Sequence, residues 1–179
     1  FYRKKLGMDS ASGKDQMELL LAKEEATLPL YLVTAAEELR IFPRYEEITI
    51  KIEQLPDTLP ELFTQVIELL EADFGRELVE RALSLMAVSR AGLTEEELLD
   101  LLAPEGLEKL PAMIWSRFYL RIKAYLRGTA TADGLLGFFH RQLGEAVQAR
   151  YLEEAETITE LHRELGEYFT ARAKGTDEK

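Results

Sequence analysis

The side chains able to do chemistry are few, and they narrow the options quickly. The chain has no cysteine and two histidines, His140 and His162. That excludes disulfides, thiolate metal sites and cysteine nucleophiles, and leaves too few imidazoles for a three-histidine metal centre. His140 follows the apolar pair Phe138-Phe139 and opens a helix-forming run. From there an imidazole can donate to an anion, and a helix N-terminus attracts the same ligand; a histidine that merely caps the helix is the plainer reading. His162 sits between Glu160 and Glu164 in a helical run and reads as surface. Gly13-Lys14-Asp15 lacks the upstream glycine spacing and the Ser or Thr of a phosphate loop, and Asp15 would repel phosphate, so it reads as a turn at a helix start. The paired carboxylates Glu24-Glu25, Glu37-Glu38, Glu46-Glu47 and Glu95-Glu96-Glu97 fall on polar helix faces. No local arrangement suggests a Ser-His-Asp triad. No catalytic or metal-binding residue is assigned.

Charge is distributed unevenly. With 22 basic and 33 acidic side chains the net charge is −11, a far field that repels phosphate chains. Between Trp115 and Arg150, however, Arg117, Arg121, Lys123, Arg127, Arg141 and Arg150 face only Asp133 and Glu145. The segment could meet a phosphate, a nucleic acid or an acidic neighbour, or pair with the protein's own carboxylates.

The elements that must position these residues are mostly helices. Apolar residues recur at helical spacing from Asp15 to Leu102. Pro29 stands where a helix starts, Pro43 where it stops, and Gly75 breaks another. Tyr45 to Ile52 alternates like a strand at Ile48, Ile50 and Ile52, but helical neighbours favour helix. Thr58-Leu59-Pro60-Glu61 and Thr94-Glu95-Glu96-Glu97 both have the form of a capping box. After a helix from about Glu108 through Phe118, short apolar segments at 124–127 and 135–139 flank Gly128 to Gly134, whose Asp133-Gly134 signals a β-hairpin turn. Helices follow from His140 and over about 157–173. The expected fold is mainly α, a helical bundle followed by a winged-helix domain with a short β-hairpin. The expected domains are a helical bundle over 1–91, a winged helix over 92–156, a C-terminal helix over 157–173 and a polar, disordered tail over 174–179. No apolar run approaches a membrane span. The start Phe1-Tyr2-Arg3-Lys4, without an initiator Met or signal pattern, leads us to expect a piece of a longer protein.

Three stretches together resemble one family. They are Leu28-Pro29-Leu30-Tyr31-Leu32-Val33-Thr34-Ala35-Ala36-Glu37-Glu38-Leu39-Arg40-Ile41-Phe42; Leu55-Pro56-Asp57-Thr58-Leu59-Pro60-Glu61-Leu62-Phe63 with Ser89-Arg90-Ala91-Gly92-Leu93-Thr94-Glu95-Glu96-Glu97-Leu98; and Gly134-Leu135-Leu136-Gly137-Phe138-Phe139-His140-Arg141-Gln142-Leu143. They resemble the NACHT branch of the STAND signalling ATPases, nearest the nephrocystin and telomerase-associated-protein group. The resemblance implies a chain that starts after the P-loop domain and is no enzyme by itself, though its parent could be an ATPase. It implies that Pro29 packs on the adenine of bound nucleotide and that His140 contacts the β-phosphate of ADP in a closed state. The implied cofactor is ADP or ATP with magnesium in the parent, not bound tightly by this portion alone. The implied partners are the parent's own P-loop domain and, on activation, other protomers, in the cytoplasm and with neither nucleic acid nor membrane. Two alternatives stay open: a helical adaptor without a live nucleotide site, and a nucleic-acid-binding winged helix.

Overall fold

The computed structural model describes Leu6, Gly7, Asp9 and residues 12–127 and 134–177, the side chains of Tyr45 and of 175–177 excepted. Among the described residues it is mainly helical, with nine α-helices and a single two-stranded antiparallel hairpin. Of the expected Gly128 to Gly134 turn, residues 128–133 lie outside the described residues. The chain forms two compact units, Phe1–Val66 and Ile67–Lys179, and the division falls inside helix α4 (Leu59–Phe74).

The first unit contains α1 (Gln16–Leu21), α2 (Pro29–Ile41), a 3-10 turn (Tyr45–Glu47), α3 (Ile48–Glu53) and the start of α4. Gly13-Lys14-Asp15 is indeed a helix-start turn. Gly13 takes φ 68°, and the Asp15 carboxylate caps α1 by accepting from the Met17 and Glu18 amides at 2.8 and 3.2 Å. Residues 45–53 are helical, as their neighbours suggested, with Ile48 and Ile52 buried one turn apart and Ile50 exposed. Four residues per repeat, not two, decides which isoleucines meet the core. That core also takes in Tyr31, Ala35, Leu39, Leu55, Leu62 and Phe63. The Tyr31 hydroxyl donates to the Pro56 carbonyl at 2.5 Å, so the one polar atom of this buried ring has a partner.

Thr58 does not form the expected capping box. Its hydroxyl donates to Glu61 at 2.9 Å, and the free Leu59 amide donates instead to the Glu25 carboxylate at 2.6 Å. A charged acceptor at the positive end of α4 is the stronger cap.

The second unit is built on α5 (Arg76–Val88), which packs against α8 (Arg141–Tyr151), α9 (Ala155–Asp177) and strand β2 (Gly137–Phe138). Residues 82–86, Ala-Leu-Ser-Leu-Met, are all buried, as a helix surrounded on several sides requires. Arg90–Gly92 forms the turn from α5 to α6 (Glu95–Leu101). Thr94 and Glu97 make the reciprocal capping box that the sequence suggests, with bonds of 3.2 and 2.8 Å. Then α7 (Ala112–Ile122) buries Trp115, Phe118 and Ile122 and leads through a 3-10 turn (Lys123–Tyr125) into β1 (Leu126–Arg127). β1 pairs antiparallel with β2, placing Leu126 opposite Phe138. A bridge between Leu93 and Leu136 adds a third extended segment. Helices with one short antiparallel hairpin agree with the mainly α fold expected of the sequence. α9 runs to Asp177, farther than expected; Ala171, Arg172, Ala173 and Lys174 are strong helix formers that prolong it.

Candidate functional site

His140 is the N-cap residue of α8, with extended backbone at φ −114° and ψ 130°. Strand β2 delivers it there: Phe138 ends the strand, the Phe139 amide donates to the Tyr125 carbonyl at 2.9 Å, and α8 begins at Arg141, directly after His140. No side chain caps α8. The capping role that looked plainer in the sequence is therefore not taken up. The half-buried imidazole instead meets the Phe139 ring edge-on, with centroids 4.5 Å apart and planes at 84°. Burial pushes its pKa below the ordinary histidine value. That shift favours the neutral ring, which has one N–H to donate and one nitrogen to accept.

Pro29 lies in the first unit, at N1 of α2. Its missing N–H costs nothing there, and its fixed φ suits the first turn. It is exposed, and so are Leu28 (43%) and Val33 (59%), which gives the start of α2 an apolar outer surface. The same helix buries Tyr31, Thr34, Ala35, Glu38 and Leu39 on its other side.

Half of the basic segment is committed internally. Arg150 pairs with Glu71 and Glu68, Arg121 lies 3.8 Å from Asp73, and Arg141 pairs with Glu145 one turn along α8. The Arg150 guanidinium and the Tyr151 hydroxyl hold the Glu71 carboxyl below its usual range, against the opposing effect of burial. Sequence reasoning missed this cluster because a helix pattern does not name a partner 79 residues away. Two of the paired carboxylates also have specific structural positions: Glu25 caps α4, and Glu38 is 2% exposed. His162 is exposed as expected, with its Nε2 3.3 Å from the Val88 carbonyl. Among the described residues no group of three or more His, Asp or Glu side chains is arranged to hold a metal ion, and no helix is long and apolar enough to cross a membrane.

Comparisons with known proteins point in one direction. The chain is 37% identical to mouse telomerase protein component 1 over 96 residues, which is 54% of this chain and 4% of that protein. It is 32% identical to human nephrocystin-3 over 98 residues, or 55% of this chain and 7% of that one. It is 29% identical to human NACHT domain- and WD repeat-containing protein 1 over 193 aligned positions, covering 88% of this chain and 12% of that one. The chain is thus similar to regions of NACHT-bearing and related large proteins, and spans only a small part of these relatives' length: 4%, 7% and 12%. No family model matches it, and no solved structure does.

Proposed function

We propose that the chain is the helical and winged-helix module of a NACHT-type signalling switch and works within a longer polypeptide. A P-loop domain of that polypeptide supplies ADP or ATP with magnesium, and this module reads which nucleotide is bound. The observation that carries the reading is His140: a half-buried imidazole at the start of an eleven-residue helix that no side chain caps, making no hydrogen bond to that helix. Free N–H groups there favour an anion, and a phosphate beside the ring would draw a proton onto it. Pro29 and its apolar surroundings offer a flat surface against which an adenine can pack. With ADP bound the module is held closed; losing the His140 contact shifts the balance toward an open, assembling form.

A hydrogen bond to a charged group contributes about 1.5–3 kcal/mol, so its loss weakens ADP retention by about 10- to 100-fold. The test is ADP binding and basal signalling of the P-loop-bearing polypeptide, as wild type, Pro29→Ala and His140→Leu. Weaker ADP retention with raised basal signalling in the His140 variant supports the switch. Unchanged retention in both variants assigns the module to a helical adaptor without a live nucleotide site. The internal pairing of Arg121, Arg141 and Arg150 argues against a nucleic-acid-binding winged helix.

A further inference from the structure

Basic residues that internal pairing leaves over are concentrated in one stretch. From Lys109 to Ala132 the sequence contains five basic residues and no Asp or Glu, in a chain with 33 carboxylates. Of those five, Lys109 and Arg121 reach carboxylates of the same unit. Arg117, Lys123 and Arg127 are exposed and have no ion pair among the described residues.

The same stretch exposes large apolar side chains. α7 turns Trp115, Phe118 and Ile122 inward. Its outer side carries Met113 and Leu120, 75% and 58% exposed, with Ile114 beside them at 38%. Met113 and Leu120 are two helical turns apart, about 10 Å along the axis, and Arg117 lies between them. Lys123 and Arg127 continue the chain from the end of the helix.

We propose that this outer face of α7, continued by the start of β1, is a docking surface for an acidic amphipathic helix of a partner protein. A helix laid along α7 would set two apolar residues, seven apart, against Met113 and Leu120. Carboxylates flanking that stripe would meet Arg117, Lys123 and Arg127. Charge complementarity selects this occupant over a nucleic acid or an anionic membrane. A long polyanion also feels the −11 of the whole chain, whereas a short helix feels chiefly what lies within a Debye length, about 8 Å. Exposed Met and Leu side chains add nothing to contacts with a phosphate backbone, but they match the apolar half of an amphipathic helix.

The experiment titrates the full chain with a fluorescein-labelled synthetic helical peptide of Glu, Ala and Leu, with two leucines seven apart and glutamates on either side. A peptide with glutamine for glutamate, a single-stranded oligonucleotide and phosphatidylserine vesicles are run in parallel. Binding of the acidic peptide is expected to weaken with added salt and to exceed that of the glutamine peptide. It should fall about tenfold or more in Arg117→Glu/Lys123→Glu/Arg127→Glu. Met113→Ala/Leu120→Ala should weaken it without changing the salt dependence. All these positions are exposed, so circular dichroism should show the wild-type fold. No binding of the acidic peptide overturns the proposal, as does equal binding of the glutamine peptide or tighter binding of the oligonucleotide or vesicles.

Discussion

Arg150 grips Glu71 with two parallel hydrogen bonds, Nε to Oε1 at 3.0 Å and Nη2 to Oε2 at 2.6 Å. The neighbouring Tyr151 hydroxyl donates to the same carboxylate at 2.5 Å. The side chains are 14% and 24% exposed for Glu71 and Arg150, so the pair is shielded from much of the screening that weakens surface ion pairs. Within the second unit it ties the end of α4 to the end of α8.

Glu71→Gln should therefore destabilise the second unit by about 2 kcal/mol, because a charge-assisted pair is lost and Arg150 is left without its main partner. Urea denaturation followed through Trp115 fluorescence measures it. The pH dependence has a definite sign. Glu71's folded pKa lies below its usual value, so its contribution is fully present above the normal carboxylate range and is lost as pH falls through the lowered folded value. The stability difference between wild type and Glu71→Gln should shrink over that acidic interval.

Gly92 should tolerate no side chain. Its φ is 104°, and a Cβ there would stand 2.5 Å from the Leu136 carbonyl oxygen, the atom that accepts from the Leu93 amide at 3.0 Å. Gly92→Ala should cost about 2 kcal/mol or more through strain and a broken bridge. A lower thermal midpoint is the expected readout.

Removing the Glu25 cap should cost about 1 kcal/mol, since the Leu59 amide loses its acceptor at the start of α4. Glu25→Ala should show it in denaturant melts. Thr58→Ala should have a smaller effect, because the Thr58 hydroxyl donates to Glu61 and caps no amide by itself.

His140→Gln should change stability by less than about 0.5 kcal/mol, as the imidazole holds no hydrogen bond to α8. An NMR titration should place the imidazole below the ordinary histidine value in the unliganded chain, because burial disfavours its charged form. A bound phosphate should reverse that direction and raise it.

α9 should open more readily than α5. It spans 23 residues, and Leu165 is its one hydrophobic residue in the core among those described. Polar contacts do much of the holding. Tyr168 donates to Asp100 at 2.7 Å, and Arg172 reaches Glu96 at 3.2 Å. Hydrogen exchange should be faster in α9 than in α5, and faster again in Tyr168→Phe.

Much of this protein was legible in its residues because the signals are local. Helical spacing, Pro29 at a first turn, Thr94 with Glu97, and a short apolar pair on each side of Gly128 to Gly134 all act within a few residues, so they define elements without knowledge of their neighbours. His140 could likewise be placed at a strand-to-helix junction from Phe138-Phe139 and the run that follows. What it bonds to could not be read, because a free imidazole and a capping one have the same sequence.

The tertiary structure alone decided the pairings. Glu25 rather than Thr58 caps α4; Glu71 rather than solvent meets Arg150; among the described residues Arg117, Lys123 and Arg127 have no ion pair where Arg121, Arg141 and Arg150 do. The reason is physical. A helix propensity is a property of consecutive residues, whereas an ion pair or a distant cap depends on which surfaces packing brings within about 3 Å, and composition carries no record of that distance.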